Sequence, residues 1–291
     1  MIGLIGLGRM GTAIAARLRE RGRELIAWDR DAARVQAAAG YGALPAVGPR
    51  EVAARADTVL SIITEDAGAR GVWEGENGFL QAGLAGKLFV EMSTLQPMTV
   101  RTLAAHAAAR GAAFVDSPVL GSIPSVRQGK LVALVGGAGA DLARARGVLE
   151  DLAVRIEHVG PVGAGAAMKL VVNNMMGCYI QVLSESLMLG RSQGLPLDRM
   201  IEIIGGSVNA SGWFQMKKPA LLGARNDVTL DIRTLRKDIL SVLATAALGG
   251  VPTPAAAATA ASLSAAVHAG AGERDIAELV AFLCGALPQT W

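Results

Sequence analysis

The sequence predicts an α/β fold: a doubly wound, mostly parallel sheet in the N-terminal half and an all-helical C-terminal half, joined by a long helix. Short apolar runs alternate with helical segments as far as about residue 162. A long segment of helical character with few charges begins directly after them, and no strand pattern follows it. We therefore expect two domains, residues 1–162 and residues 163–291.

Each element of the N-terminal half has its own signal. Strands are expected in the apolar runs at residues 2–5, 25–28, 58–63, 87–92, 113–116, 131–135 and 156–159. Helices are expected over 10–21 and 31–39, and in the first of them Met10, Ile14 and Leu18 recur on one face. Strands that alternate with helices form parallel sheets that are covered on both faces. The C-terminal half is expected to begin with one helix over 164–193, and glycine or proline separates the helices after it.

Composition excludes several classes of protein. The 291 residues carry a formal net charge of +3, which is too small and too dispersed for a nucleic-acid surface. Cys178 and Cys284 lie far apart and the 3 histidines are scattered, so neither a disulfide framework nor a metal site is expected. Two separate cysteines are typical of a protein in the reducing cytoplasm.

No targeting or membrane segment is expected either. The N-terminus lacks a basic region followed by a long apolar stretch. The longest charge-free run, residues 239–272, is interrupted by glycines and prolines at 249–254, and its second half is mostly alanine. We predict two buried helices there, separated by a turn.

The clearest motif is Gly6–Gly11, with the sequence GLGRMG, which follows a predicted strand and opens a predicted helix. In that context Gly6 permits a tight turn, Gly8 lets the backbone approach a pyrophosphate, and Gly11 lets the helix pack on the strand. The helix N-terminus also offers unpaired N–H groups to phosphates. An ordinary glycine-rich turn is the alternative. We predict a Rossmann-like dinucleotide site, which also takes in the intervening residues Leu7, Arg9 and Met10.

Two residues at the end of the second strand bear on the choice of cofactor. Asp29 lies 18 residues after Gly11, where an acid binds the ribose hydroxyls of NAD and repels the 2′-phosphate of NADP. Arg30 follows it and is able to pair with that phosphate instead. We predict a nicotinamide cofactor, NAD or NADP, with NAD favoured.

Further motifs follow Gly6–Gly11 in a fixed order along the chain. They are Glu91–Thr94, Asp116–Ser122, Gly163–Asn173 and Lys237–Asp238. Together they resemble the β-hydroxyacid dehydrogenases, a family that includes 3-hydroxyisobutyrate dehydrogenase and tartronate semialdehyde reductase and is related to 6-phosphogluconate dehydrogenase. The resemblance spans essentially the whole chain. It implies an NAD(P)-dependent enzyme that moves a hydride between the cofactor and a small 3-hydroxy acid or semialdehyde acid.

Lys169 and Asn173 are the candidate catalytic residues. They lie four residues apart and so share one face of the predicted helix. No charged residue occurs from Leu170 to Ser184, so the helix is expected to be largely buried, and burial lowers the pKa of a lysine toward the range of a general acid or base. A lysine that reaches solvent at the helix start is the alternative. The resemblance implies catalysis: Lys169 exchanges the proton of the substrate hydroxyl, and Asn173 binds that hydroxyl or holds Lys169.

Loop residues complete the expected site. The resemblance places Ser93, Gly121 and Ser122 against the substrate, with Gly121 and Ser122 binding its carboxylate. We also expect cofactor contacts from Ile63, Thr64, Thr94 and Lys237. For the serines the alternative is an ordinary strand end or turn, and for Lys237 it is a solvated helix charge.

These motifs do not fix the substrate. Leu120 stands where many family members have serine, so a hydrogen bond worth about 1 kcal/mol is absent and the pocket is expected to be more apolar. We expect a longer or branched aldehyde acid, or a carbonyl compound without a carboxylate. Trp213 is a further candidate for the pocket wall, with core or dimer packing as an equally good interpretation.

Two other functions stay open. Imine reductases share the expected architecture but usually carry Asp or Tyr where this chain has Lys169. A dinucleotide-binding module without catalysis would not need the Lys169–Asn173 pair. We expect the active site in the cleft between the domains. We also expect a homodimer or homotetramer built through the C-terminal domains, because a buried helix in a small domain is readily covered by a second subunit.

Overall fold

The sheet of the computed structural model begins at the second residue of the chain. The structure describes residues 1–224 and 227–285. Within that described part, nine strands form one sheet. They are β1 (Ile2–Ile5), β2 (Leu25–Trp28), β3 (Leu44–Pro45), β4 (Thr58–Ser61), β5 (Leu88–Glu91), β6 (Ala113–Asp116), β7 (Val119–Leu120), β8 (Leu131–Gly136) and β9 (Ala153–Gly160).

The sheet is parallel over most of its width. β1 pairs in parallel with β2 and β4, and the strand order is β3-β2-β1-β4-β5-β6-β8-β7, with β9 beside β8. Only β8 runs antiparallel to its neighbours β6 and β7 among the described strands. This order confirms the predicted doubly wound sheet. It brings the carboxyl ends of β1, β4, β5 and β6 to the same edge, which is where ligands bind in folds of this kind.

Helices connect the strands and then account for the elements after β9 in the described residues. The helices of the N-terminal half are α1 (Arg9–Glu20), α2 (Ala32–Ala39), α3 (Pro49–Arg55), α4 (Asp66–Glu74), α5 (Pro97–Ala109), α6 (Ile123–Arg127) and α7 (Gly139–Glu150), with a 3-10 turn at Phe79–Gln81. The later ones are α8 (Ala164–Ser192), α9 (Leu197–Gly205), α10 (Gly212–Leu221), α11 (Ile232–Leu248), α12 (Pro254–His268) and α13 (Glu278–Gly285). The chain divides into two compact units, Met1–Leu170 and a second that starts at Val171, so the division falls inside α8.

Each face of the sheet has its own apolar core. Leu4 and Leu60 belong to the cluster on one face, and their neighbours Ile5 and Val59 belong to the cluster on the other. The central strands are therefore buried on both sides. This explains why their sequences are continuous apolar runs and not alternating ones.

Apart from differences of one residue at strand ends, the observed strands differ from the predicted ones in four places. β3 and β7 were not predicted, because each has 2 residues and shows no periodic signal. The strand predicted over 58–63 ends at Ser61, since Ile62 and Ile63 line a cavity instead. β9 starts at Ala153, before the predicted 156, because Val154 and Arg155 are exposed and interrupt the apolar pattern.

A buried ion pair in the second unit joins α10 to the segment before α13. The Nζ atom of Lys217 lies 2.9 Å from Oδ2 of Asp275, and the two residues are 1% and 0% exposed. The backbone N–H and the hydroxyl of Thr229 donate to the same carboxylate oxygen.

The run 239–272 forms parts of α11 and α12 with a turn between them, as predicted. Within the described residues, no helix has the length and apolar character needed to cross a membrane.

Candidate active site

A cavity of about 330 Å³ lies at the turn between β1 and α1. The turn, the end of β2 and the segment after β4 all contribute to its wall. The lining includes six of the residues predicted to contact the cofactor: Gly6, Gly8, Asp29, Arg30, Ile63 and Thr64. The fold thus brings these separated positions together around one concave surface.

The other residues of the GLGRMG motif lie beside this cavity. Leu7 and Arg9 line an adjoining cavity of about 420 Å³, which shares Gly8 and Arg34 with the first. Met10 is half-buried and packs against the core. A Cβ at Gly11 would collide with the carbonyl oxygen of Gly6, so this glycine allows α1 to start close to the turn.

The backbone of the turn fits a dinucleotide. Gly6 has a φ of +92°, in the left-handed region, and a Cβ there would collide with the carbonyl oxygen of Ile62. A Cβ on Gly8 would meet nothing closer than Nη1 of Arg34, at 3.9 Å, so the space over the turn is open. No side chain of the described residues caps the start of α1. Open space, helix N–H groups and the positive end of the helix dipole suit a pyrophosphate.

Asp29 is bound into the same turn. It is 8% exposed, and its carboxylate accepts the N–H of Leu7 at 2.6 Å and the N–H of Asp31 at 2.9 Å. The Nη1 atom of Arg34 lies 3.8 Å from Oδ2 of Asp29. Arg30 is exposed. The carboxylate therefore fixes the shape of the turn as well as facing the cavity, and Arg34 is a cavity residue that the sequence interpretation did not single out.

A buried carboxyl group joins the ends of β4 and β5. Glu91 is 1% exposed, Ser61 donates its hydroxyl to Oε2 at 2.5 Å, and the N–H of Ser93 donates to Oε1 at 3.0 Å. The N–H of Ile63 in turn donates to Oγ of Ser93 at 2.6 Å. Ser93 is 2% exposed and Thr94 is half-buried. Ser93 thus holds the cavity wall, and its contact with substrate stays a prediction.

Burial governs the protonation of the two acids at this edge. It raises the pKa of Glu91 to about 7, although hydrogen bonds from Ser61 and Ser93 lower it, and the nearby Asp116 carboxylate raises it further. Burial also raises the pKa of Asp116, against hydrogen bonds from backbone N–H groups. Protons therefore leave both groups at higher pH than from exposed carboxyl groups.

Asp116 ends β6 and binds the start of α8. Its Oδ1 accepts the N–H of Gly163 and its Oδ2 accepts the N–H of Ala166, each at 2.7 Å. A negative charge is favoured at a helix N-terminus. A Cβ on Gly165 would collide with a carbonyl oxygen of β8, so the helix start also lies directly against the sheet. Lys169 is half-buried and follows within one turn of this anchored start.

The loop predicted to bind the substrate carboxylate lies between β7 and α6. Gly121 adopts a φ of +132°, and the N–H of Ser122 donates to Oγ of Ser125 at 3.3 Å, in a capping box at the start of α6. Leu120 pairs with Val132 of β8 and is half-buried. The polar groups of Ser122 thus stabilise the helix start, and their contact with substrate stays a prediction.

Three of the predicted site residues lie in the second unit: Asn173, Lys237 and Trp213. The first two contact Asp238, and Trp213 packs against Tyr179. The amide Nδ2 of Asn173, which is 3% exposed, donates to Oδ2 of Asp238 at 2.6 Å. The Nζ atom of Lys237 lies 2.6 Å from the other oxygen of that carboxylate. Trp213 is half-buried and packs edge-on against Tyr179, with the ring centroids 6.1 Å apart. Asp238 therefore connects Asn173 to Lys237.

Besides Arg34, three acidic residues of the site received no role from sequence: Glu91, Asp116 and Asp238. A signal for the first two was present, because each is the acidic last residue of an otherwise apolar strand (LFVE and AFVD). An acid in a buried strand requires hydrogen-bond partners. For Asp238 no such signal exists, since it is one of several charges at the start of α11.

Known protein families and relatives match this chain over nearly its whole length. Residues 1–160 match the family model for the NAD-binding domain of 6-phosphogluconate dehydrogenase, and residues 163–283 match the one for NAD-binding of NADP-dependent 3-hydroxyisobutyrate dehydrogenase. 2-(Hydroxymethyl)glutarate dehydrogenase of Eubacterium barkeri is 32% identical over 282 residues, which are 96% of this chain and 93% of that protein. 3-Sulfolactaldehyde reductase of Escherichia coli is 30% identical over 276 residues, 94% of this chain and 92% of that protein.

A solved structure shares the fold. That of Mycobacterium tuberculosis 3-hydroxyisobutyrate dehydrogenase with L-serine superposes with a TM-score of 0.86 at 24% identity, covering 97% of this chain and 98% of that one. Fold, glycine-rich turn and relatives together define an oxidoreductase that uses a nicotinamide cofactor and acts on CH–OH groups. The chain belongs to the β-hydroxyacid dehydrogenase family.

The raised pKa of Glu91 predicts a pH dependence of stability. From about pH 4.5, the ordinary value, to about pH 7, the folded protein keeps a proton that the unfolded chain has lost, so the free energy of unfolding falls as pH rises. Glu91→Gln cannot titrate and lacks this contribution. Urea unfolding of both proteins between about pH 5 and pH 8 should show the wild type losing about 1 kcal/mol or more relative to Glu91→Gln. Asp116 titrates in both proteins, so the difference between the two curves reports Glu91 together with its interaction with Asp116. Parallel curves for the two proteins would contradict the assignment.

Proposed function

We propose that this enzyme transfers hydride between NAD and a small 3-hydroxy acid or the corresponding semialdehyde acid, with Lys169 as general acid and base. The observation that carries the proposal is the anchored start of α8, which fixes the helix carrying Lys169 on the edge of the sheet where the glycine-rich turn also lies. The limits of the two matching family models, residues 1–160 and 163–283, support a domain boundary at residues 162 and 163, whereas the two compact units divide within α8, after Leu170.

The residues around the cavity that Gly6, Asp29 and Ile63 line would hold the cofactor. The N–H groups at the start of α1 suit the pyrophosphate, and Asp29 suits the adenosine ribose. A 2′-phosphate would lie next to the Asp29 carboxylate, which favours NAD, although Arg30 and Arg34 line the same cavity. Ile63 and Thr64 would contact the dinucleotide from the β4 side, with Thr94 and Lys237 as further contacts. When bound, the nicotinamide supplies or accepts the hydride.

The proton moves through Lys169. In the reducing direction its ammonium group gives a proton to the carbonyl oxygen of the substrate, and in the oxidising direction the neutral amine takes the proton of the hydroxyl. Arginine is unable to do this because it does not give up its proton. Asn173 would orient Lys169 or the hydroxyl, and its hydrogen bond to Asp238 supports a fixed amide orientation.

The relatives narrow the substrate class. Their names give 2-(hydroxymethyl)glutarate and 3-sulfolactaldehyde, which pair a primary alcohol or an aldehyde with an anionic group. For this chain we propose an aldehyde acid longer than glyoxylate, because Leu120 puts an isobutyl group at the loop that would bind the carboxylate. Ser93, Gly121, Ser122 and Trp213 remain the proposed substrate contacts.

The proposal predicts the outcome of a substrate screen. Glyoxylate, succinic semialdehyde, methylmalonate semialdehyde, tartronate semialdehyde and a cyclic imine would each be offered with NADH or NADPH, and NADH oxidation followed by absorbance. A semialdehyde acid should be reduced, and Lys169→Ala should lower kcat by about 10²–10⁴-fold because the proton donor is lost. Lys169→Arg should be equally inactive.

The exposed Lys130 supplies the matched control, since Lys130→Ala should keep wild-type kcat. NADH affinity of Lys169→Ala should also stay near the wild-type value. Reduction of the imine alone would support the imine reductase alternative. Turnover of a semialdehyde acid by Lys169→Ala at the wild-type rate would sink the catalytic role of the lysine.

We further propose that the protein is a homodimer or homotetramer in the cytoplasm. An exposed apolar stripe supports the assembly: Val171, Met175, Val182 and Leu189 are 52%, 69%, 58% and 66% exposed and lie on one face of α8. A stripe of this kind on a monomer is unfavourable in water. The free Cys178 and Cys284 are consistent with a reducing compartment.

Light scattering tests the assembly. The wild type should have about two or four times the chain mass of 29.9 kDa. Met175→Glu places a charge in the stripe and should shift the protein toward that single-chain mass. Met98, which is 52% exposed on α5, supplies the control, and Met98→Glu should leave the mass unchanged. A wild-type mass of one chain at micromolar concentration would contradict the proposal.

A further inference from the structure

The wall of the cavity at the glycine-rich turn, which is lined by Gly6, Asp29 and Ile63, depends on a buried acid that does not itself line it. Ile62 and Ile63 form part of the wall, directly after β4 ends at Ser61. Glu91 is the last residue of β5 and lies opposite Ser61 in the strand register. It is absent from the cavity lining and is 1% exposed. Any influence of Glu91 on a ligand in the cavity must therefore pass through other residues.

Hydrogen bonds provide that connection. Ser61 and the N–H of Ser93 donate to the two oxygens of Glu91, at 2.5 Å and 3.0 Å. Oγ of Ser93 accepts the N–H of Ile63 at 2.6 Å. The series runs from the carboxyl group to a backbone atom of the cavity wall.

We propose that Glu91 is a positioning residue for cofactor binding: through Ser93 it fixes the backbone of Ile63 and Thr64 in the wall of the cofactor cavity. This inference rests on the proposed assignment of that cavity to the nicotinamide cofactor. Glu91 touches neither cofactor nor substrate. Its part is to hold the backbone of Ser93, so that Oγ of Ser93 lies where it accepts the N–H of Ile63.

The energetics favour a specific role over general packing. The N–H of Ile63 is partly buried, and a donor that loses its acceptor in such a place costs about 1–3 kcal/mol, so loss of Oγ at position 93 should make the segment around Ile63 rearrange. Glutamine at position 91 keeps an oxygen for the N–H of Ser93, and its NH2 group is able to donate to Oγ of Ser61, which reverses the direction of that bond. Alanine at position 91 leaves the N–H of Ser93 and the hydroxyl of Ser61 without their acceptor.

The test measures the dissociation constant of NADH by quenching of tryptophan fluorescence, for which Trp28 in the cavity wall is a suitable reporter. Glu91→Ala and Ser93→Ala should each raise the dissociation constant by about tenfold or more. Glu91→Gln should stay within about threefold of the wild type, because its amide oxygen still accepts the N–H of Ser93. Circular dichroism and thermal unfolding establish that each variant is folded.

Two controls separate the possible causes. Val90 precedes Glu91 in β5 and is fully buried in the apolar core, so Val90→Ala destabilises the sheet without touching the hydrogen bonds and should leave NADH affinity unchanged. Gly71 lines the cavity, and a Cβ there would meet nothing within 4 Å, so Gly71→Phe should obstruct the cavity and abolish binding while Gly71→Ala does not.

The outcomes distinguish a failure of the positioning role of Glu91 from a failure of the assignment of the cavity to the cofactor. If Gly71→Phe binds NADH as the wild type does, the cavity assignment fails. If Gly71→Phe loses binding but folded Ser93→Ala binds normally, the positioning role of Glu91 fails and the assignment stands. Weakening by Val90→Ala equal to that by Ser93→Ala would also overturn the inference. Should Glu91→Ala not fold, the comparison of Ser93→Ala with Glu91→Gln decides.

Discussion

The carboxylate of Asp116 holds the N-terminus of α8 on the end of β6, through the N–H groups of Gly163 and Ala166. A helix start has N–H groups without partners inside the helix, and a buried acid satisfies two of them while its charge lies at the positive end of the helix dipole. The close approach of Gly165 to β8 fixes the same turn from a second direction. This anchor therefore sets where Lys169 lies relative to the edge of the sheet.

The carboxyl ends of the other parallel strands also carry residues of the candidate site. β1 leads into Gly6, β2 ends beside Asp29, and β5 ends at Glu91, all at the same edge. Two of these positions hold buried acids that bind backbone N–H groups: Asp29 those of Leu7 and Asp31, and Glu91 that of Ser93. Acids buried in this way are costly unless their oxygens are satisfied. Here they stabilise the loops that line the cavity proposed for the dinucleotide.

Local signals explain what the sequence could predict. The strands at 2–5 and 25–28 were predicted with their observed bounds, because buried parallel strands are short apolar runs between helices. The glycine-rich turn and Asp29 form a motif that is contained in a short stretch of chain. In contrast, Ser61 and Glu91 meet only because of the register between β4 and β5, and Asp116 binds residues 47 and 50 positions later. No periodicity or local motif encodes such distant pairings.

The most direct measurement compares kcat at saturating NADH with the NADH dissociation constant in Asp116→Asn. Asparagine offers one acceptor oxygen where the wild type offers two, so one N–H group at the start of α8 loses its partner. If this anchor sets the position of Lys169, kcat on the preferred semialdehyde acid should fall by about tenfold or more while NADH affinity stays near the wild-type value. A folded variant with unchanged kcat, or one whose NADH affinity falls in parallel with kcat, would contradict that account.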